Sequence, residues 1–186
     1  MEALAVALKE WHLVIQAILA GEQAILLRKG GILEANNEFE LEHRRFPFYP
    51  TFIHQNPAHT KPVWRGRIQA LDAEPAQVTL EGFGEAHQIM EVPSRAAMDQ
   101  LFDLHIWDTP LLDMRFSYRP EKPLFLVIVR AWRLKAAVTI PNTLAYAGCK
   151  SWVPLEQSID VSGATPALSD AQMDSLTARI RRTLSV

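Results

Sequence analysis

The side chains best suited to bind a ligand lie within thirty residues, from Leu26 to Gln55. Guanidinium and ammonium groups bind anions, glycines let backbone N–H groups approach an anion, and imidazole titrates near neutral pH. Side chains of these kinds, with a tyrosine, a threonine and an amide beside them, are Arg28, Lys29, Gly30, Gly31, Arg44, Arg45, Tyr49, Thr51, His54 and Gln55. Their density predicts a binding site.

Three functions are consistent with this set of residues. In the leading hypothesis the domain binds nucleic acid or a nucleotide, its four cations contacting phosphate while Tyr49, His54 and Gln55 line a cleft that reads a base or sugar. In the second it is an enzyme for a phosphate- or carboxylate-bearing small molecule, with His54 as acid/base and the Arg28-Lys29 pair as anion clamp. In the third it is a protein-interaction domain whose basic surface is merely solvated.

Two glycine motifs predict turns, and the first of them, Arg28-Lys29-Gly30-Gly31, could instead cradle a phosphate. Gly30-Gly31 suits a tight hairpin, and the spacing of a P-loop is absent around it. Gly82-Phe83-Gly84 predicts a turn between strands at 78–80 and 88–92, because the third glycine of a dinucleotide fingerprint is replaced by His87.

No metal or cofactor is expected. His43, His54 and His59 lack the spacing of known zinc motifs. Cys149, the only cysteine, excludes an intrachain disulfide and fits a reducing cytosol. Its neighbour Lys150 would favour a reactive thiolate, whereas free cysteines are commonly small buried hydrophobic residues.

The composition predicts a cytoplasmic protein with one domain, residues 1–186. Hydrophobic residues make up 48% and charged residues 22% of the 186 positions, and no apolar run is long enough to span a membrane. A formal net charge of −2 excludes a globally basic nucleic-acid binder. Seven Lys/Arg against four Glu between Arg28 and Arg67 nevertheless predict a local anion-binding region.

The elements that would position these residues indicate an α+β fold. Leu4, Leu8, Trp11, Ile15 and Ile18 recur at helical spacing, which predicts a helix over 3–20 that ends at Gly21. The apolar run 124–129 predicts a central strand buried on both faces, whereas Pro47 predicts an edge position for the strand 46–49.

A connector over 158–168 precedes a C-terminal helix, 169–185, with a capping box formed by Ser169 and Gln172. The expected architecture is a small curved mixed sheet or partial β-barrel flanked by N- and C-terminal helices.

Three motifs together resemble a bacterial family, the domain of unknown function 1802. They are Ala7-Leu8-Lys9-Glu10-Trp11, the Leu26–Ile32 stretch with Tyr49-Pro50-Thr51 and His54-Gln55, and Gly148-Cys149-Lys150-Ser151-Trp152. Some members of that family are similar in that they carry a restriction-endonuclease-like domain beside this one. The resemblance therefore implies a link to DNA processing or defence. This chain lacks the Glu-x-Lys or Asp-x-Lys triplet of such nucleases, so the resemblance does not imply nuclease activity.

A fainter likeness, to PUA-like and ASCH domains, comes from the step from Ile18–Gln23 to Leu27-Arg28. It implies a small barrel with a cleft for RNA or modified bases.

Overall fold

The computed structural model describes residues 2–29, 43–148 and 150–184. The strands in this part of the chain are β1 (Ala3–Trp11), β2 (Ile25–Arg28), β3 (Arg45–Thr51), β4 (Gln77–Glu91), β5 (Phe125–Pro141), β6 (Trp152–Asp160) and β7 (Thr165–Pro166). The helices are α1 (His12–Leu19), α2 (Pro62–Arg65), α3 (Arg95–Asp99), α4 (Thr109–Ser117) and α5 (Asp170–Leu184). Short 3₁₀ helices cover Pro57–His59, Phe102–Leu104 and Leu144–Tyr146.

The strands form one open, curved sheet in the order β2-β5-β4-β3-β1-β6, and β7 adds to β5. β1 and β3 run parallel, and the other pairs are antiparallel. The expected α+β class, with a curved mixed sheet and helices at both ends, is therefore confirmed. The predicted strand 124–129 is also confirmed, because β5 lies between β2 and β4 and is buried from Leu126 to Val129.

The predicted N-terminal helix is wrong over its first nine residues. These residues form β1, where Leu8 faces Phe48 of β3 on one side and Trp152 of β6 on the other. Pairing with two distant strands overrides the local helical spacing. The helix occupies only His12–Leu19, and Gly21, with a φ of +74°, confirms the predicted end.

The predicted turn at Gly82-Phe83-Gly84 is wrong, because β4 continues straight through it. A Cβ on Gly84 would lie 2.7 Å from both Phe48 Cζ and Val129 Cγ1. A Cβ on Gly82 would collide with Leu19 and lie 2.5 Å from the Trp132 carbonyl oxygen. Both glycines permit close packing inside a strand, which is the other common use of the residue.

The predicted edge position of the Pro47 strand is also wrong, since β3 lies between β4 and β1. Arg45–Pro47 pair with β4, whereas Phe48–Thr51 pair with β1. Each half of β3 therefore pairs with only one neighbouring strand. No backbone donor is required on the unpaired side, so a proline, which has no N–H, is tolerated in the strand.

Opposite faces of the sheet carry two separate cores. Phe46 and Phe48 point into the larger core, which α1, α4 and α5 cover. Tyr49, between Phe48 and Pro50, points to the other face, where it packs with Val153 and Leu155 of β6. The curvature of the sheet around this second core creates a partly enclosed space at one end of the strands.

The capping box is confirmed, since Ser169 Oγ accepts from the Gln172 N–H at 3.3 Å and Gln172 Oε1 accepts from the Ser169 N–H at 2.9 Å. The predicted connector 158–168 is partly wrong. β6 extends to Asp160, and β7 adds Thr165–Pro166 to the sheet.

Candidate ligand-binding pocket

A pocket of about 620 Å³ opens where β1 and β3 end side by side. Segments that precede β4 and β6 and that follow β5 complete its wall, so it collects residues distant in sequence. The lining residues are Lys9, Glu10, Trp11, Tyr49, Thr51, Ile53, His54, Glu74, Pro75, Ala76, Asn142, Thr143, Leu144, Tyr146, Ala147, Gly148 and Lys150.

Glu10 forms a charged part of the wall, and its carboxylate is held by contacts with Arg28 and the Trp11 backbone. Its Oε2 lies 2.9 Å from Arg28 Nη1, and its Oε1 accepts from the Trp11 N–H at 2.8 Å. The side chains of Arg28 and Glu10 are only 13% and 11% exposed. Arg115 lies close by, where burial lowers its pKa, Glu10 raises it and Arg28 lowers it. The Glu10 carboxylate is therefore fixed in place by a buried cationic group.

A chain of hydrogen bonds orders a second part of the wall, around Tyr49 and Asn142. The Tyr49 hydroxyl donates to Asn142 Oδ1 at 2.7 Å, and Asn142 Nδ2 donates to the Pro75 carbonyl at 2.8 Å. The neighbouring Glu74 accepts from the Phe52 N–H at 3.1 Å. Burial, then the charges of Glu74 and Tyr146, raise the pKa of Tyr49 to about 12. Tyr49 is thus a neutral donor at physiological pH.

Lys9 and Tyr146 join β1 to the loop that leads into β6. Lys9 Nζ donates to the carbonyl oxygens of Tyr146 and Gly148, the latter at 3.1 Å. The Tyr146 hydroxyl accepts from the Glu156 N–H at 2.9 Å. His54 and Lys150 are exposed residues of the lining, and Leu144 is 92% exposed beside them.

The structure brings together only some of the residues singled out in the sequence. Tyr49, Thr51 and His54 line the pocket. Thr51 Oγ1 donates to the Glu10 carbonyl at 3.1 Å. Arg28 is not a lining residue and contacts the wall through the Glu10 carboxylate and, at 3.4 Å, the Lys9 carbonyl.

Gln55 and Lys29 have structural contacts instead. Gln55 is buried; its Oε1 accepts from the Leu13 N–H at the start of α1, at 2.8 Å, and its Nε2 donates to the Gln69 carbonyl at 2.9 Å. Lys29 Nζ donates to the carbonyls of Arg115 and Phe116, at 2.8 and 2.9 Å, in the last turn of α4.

Arg44 and Arg45 lie at the opposite end of β3 from Thr51. Arg44 pairs with Glu85 at 3.2 Å, and Arg45 pairs with Glu2 and lies 3.6 Å from Glu85. The predicted turn residues Gly30 and Gly31, and Cys149, lie outside the described residues. Roles for these residues in ligand binding remain predictions.

Most of the lining residues are not among the site residues predicted from the sequence; those with polar or aromatic side chains include Lys9, Glu10, Trp11, Glu74, Asn142 and Tyr146. The first three belong to the motif Ala7–Trp11, which had been noticed only as part of a resemblance. Glu74 and Asn142 belong to no motif in the sequence, so only the fold reveals them.

Within the described ranges, no group of three or more His, Cys, Asp or Glu residues is arranged to hold a metal ion. In the same ranges, no helix is both long enough and apolar enough to cross a membrane.

Tyr49→Phe, which removes the Tyr49 hydroxyl, should reduce the decrease in the free energy of unfolding that occurs above pH 10. Because the folded pKa, about 12, exceeds the unfolded value of 10.0, the stabilisation is complete below pH 10 and is lost as pH rises towards 12. We expect the native chain to lose about 2 kcal/mol more than Tyr49→Phe over this interval. Urea unfolding at pH 9.5 and 11.5 measures the difference. Tyr118→Phe, at an exposed site, is the control, and equal losses in all three proteins would contradict the expectation.

Comparison with known proteins gives one family match and several structural similarities. The model of a family described as the domain of unknown function DUF1802 matches residues 7–179. The crystal structure of ASCH from Zymomonas mobilis is 12% identical, with 93% of each chain covered and a TM-score of 0.46.

A point mutant of the same Zymomonas mobilis protein is 13% identical, with 94% of each chain covered and a TM-score of 0.43. These are ASCH structures, the group to which the sequence shows its fainter likeness. No curated protein sequence matches the chain.

Proposed function

We propose that this chain, which belongs to the DUF1802 family of domains of unknown function, binds a nucleotide, either free or as an unstacked residue of a nucleic-acid strand. The proposal rests on the chemistry of the pocket. The observation that carries the proposal is the convergence of the sequence motifs. Lys9-Glu10-Trp11, then Tyr49, Thr51 and His54, and finally Gly148 and Lys150 all line one pocket.

The walls of the pocket suit a flat aromatic ligand. Its volume of about 620 Å³ falls within the usual range for small-molecule sites. Trp11, Tyr146, Ile53, Pro75 and Leu144 supply aromatic and apolar surface. Bases stack on aromatic side chains whatever their sequence, because every base has a π-face. This shape and chemistry support a base inside the pocket.

The mouth of the pocket suits a phosphate. Among the described residues, no hydrogen bond or ion pair engages the side chains of His54 and Lys150, and both are exposed there. The ammonium group of Lys150 and the imidazole of His54 would bind the phosphate at the entrance, while the base occupies the interior of the pocket. This assignment moves the phosphate contact from Arg28 and Lys29 to Lys150 and His54.

The alternative of a small-molecule enzyme receives less support. An anion clamp of Arg28 and Lys29 would have to break the ion pair with Glu10 and the two hydrogen bonds to the end of α4. A nucleotide held by Lys150 and His54 requires neither change. The proposal therefore keeps His54 as a binding residue.

Calorimetric titration tests this proposal with the four ribonucleoside monophosphates and a short single-stranded oligonucleotide. We expect one site per chain, and Lys150→Gln should weaken binding about five- to tenfold through loss of a charge-assisted phosphate contact. His54→Gln should weaken binding by a smaller factor. The matched controls Lys135→Gln and His87→Gln change the same chemical groups at exposed positions outside the pocket and should leave binding unchanged.

The salt dependence gives a second readout of the phosphate contact. The slope of log affinity against log salt should fall by about 0.7 for the oligonucleotide when Lys150 is replaced. Failure of all four monophosphates and the oligonucleotide to bind would overturn the proposal. So would equal effects of the pocket variants and their controls.

A further inference from the structure

We propose that the pocket selects guanine among the bases, with Glu74 and Asn142 reading the edge that carries O6, N1–H and the N2 amino group. This inference deepens the proposed function and rests on it. It follows from counting the hydrogen-bonding capacity that the protein itself leaves unused inside the pocket.

The carboxylates hold most of the unused capacity. Glu74 is anchored by its contacts with the Phe52 N–H, 3.1 Å from Oε1 and 3.3 Å from Oε2, and Oε1 lies 3.4 Å from the Ile53 nitrogen. Each oxygen of Glu10 has one partner. A carboxylate offers about four acceptor sites, so both groups retain acceptor capacity.

The donors inside the pocket are mostly engaged. Tyr49 donates to Asn142, Thr51 donates to the Glu10 carbonyl, and Lys9 donates to two carbonyls. Asn142 donates one amide proton to the Pro75 carbonyl, and its amide has a second one. Among the described residues, the wall formed by Glu74 and Asn142 therefore presents a carboxylate acceptor and the second amide proton of Asn142.

Chain geometry keeps Asn142 next to the backbone segment that carries Glu74. The Asn142 amide bonds to Pro75, the residue after Glu74, and the Asn142 backbone N–H donates to the Ala76 carbonyl at 2.8 Å. Two contacts thus fix Asn142 against the Glu74–Ala76 segment. The proposed site uses the Glu74 carboxylate as acceptor and the Asn142 amide as donor, each held by its own contacts.

Guanine matches this acceptor and donor better than the other bases. It offers an acceptor, O6, for the amide donor, and two adjacent donors, N1–H and N2–H, for the carboxylate. Adenine has an acceptor, N1, where guanine has the N1–H donor, and a carboxylate would repel it. Cytosine has the same disadvantage, because its N3 is also an acceptor. Uracil has one N–H between two carbonyls. A site whose polar groups lose their partners rejects such analogues strongly.

Titration of the unaltered protein tests the preference without any substitution. We expect GMP to bind about tenfold more tightly than IMP, which lacks only the N2 amino group, and about a hundredfold more tightly than AMP. Equal affinities for GMP, IMP and AMP would overturn the guanine assignment and leave nucleotide binding standing. Absence of binding by every nucleotide would overturn the proposed function as well.

A variant then assigns the preference to Glu74. Glu74→Gln retains an oxygen for the Phe52 N–H and should weaken GMP binding about tenfold while changing UMP binding less than twofold. Glu91→Gln makes the same change in an exposed residue at the far end of β4 and should have no effect. The melting temperature of each variant reports folding. A folded Glu74→Gln protein that still prefers GMP to IMP by tenfold would refute the role of Glu74.

Discussion

Arg28→Met should lower the free energy of unfolding by about 3–5 kcal/mol, the usual cost of breaking a buried ion pair from one side. Arg28 Nη1 lies 2.9 Å from Glu10 Oε2, and both side chains are almost fully enclosed. Methionine fills much of the same volume, so the main loss is electrostatic. The Glu10 carboxylate would keep only the Trp11 N–H and the field of Arg115 as compensation.

Arg67→Met is the matched control for that substitution. Arg67 makes a comparable contact, 3.0 Å to Glu22, but both partners are about half exposed. We expect it to cost at most about 1 kcal/mol, as exposed pairs do. Urea unfolding monitored by tryptophan fluorescence compares the two. Equal costs would mean that the Glu10–Arg28 pair is solvated, and that Glu10 is not held rigidly in the pocket wall.

Gly82→Ala should be the most disruptive small substitution in the sheet, with a cost of about 3 kcal/mol or more. The added methyl group would collide with Leu19 of α1 and lie 2.5 Å from the Trp132 carbonyl oxygen. Leu19 can change rotamer, but the carbonyl belongs to the neighbouring strand β5 and can move only with it. The substitution therefore strains the β4–β5 pairing itself.

Gly66→Ala is the control, since a Cβ at that position meets nothing within 4 Å. The φ of Gly66 is −68°, which alanine adopts without strain, so this variant should be neutral or more stable by up to about 1 kcal/mol. Thermal unfolding of the two variants measures the difference. A Gly82→Ala protein as stable as Gly66→Ala would show that α1 packs less closely on β4 than described.

Local signals in the sequence predicted the elements whose stability is local. The Ser169–Gln172 capping box and the end of α1 at Gly21 depend on neighbours in sequence, and both were found as expected. The residues of β1 predict a helix because their apolar side chains recur at helical spacing. The same apolar residues are also compatible with a strand that buries both of its faces. Only its partners, β3 and β6, decide between these alternatives, and they lie far away in the sequence.

The pocket could be predicted only in part, for the same reason. Tyr49, Thr51 and His54 stood out because one short stretch contains them. Glu74 and Asn142 reach the same pocket wall because Asn142 binds the Pro75 carbonyl, across a large sequence separation. Arg28 and Lys29 show the converse, since residues with ligand-binding chemistry satisfy internal partners instead. A charged side chain in a sequence does not reveal whether the fold already contains its counter-charge.

The pairing of β1 with β6 has a consequence for biosynthesis. Ala3 lies opposite Asp160, so β1 completes its pairing only after the chain has been made as far as β6. On the ribosome, β1 would keep an open edge, which is a site for aggregation or for chaperone capture. Lys150 and the loop before β6 are also made after β1 and β3, so the pocket closes only once that loop has been made. A ligand of this pocket can therefore stabilise the finished domain but not its nascent fragments.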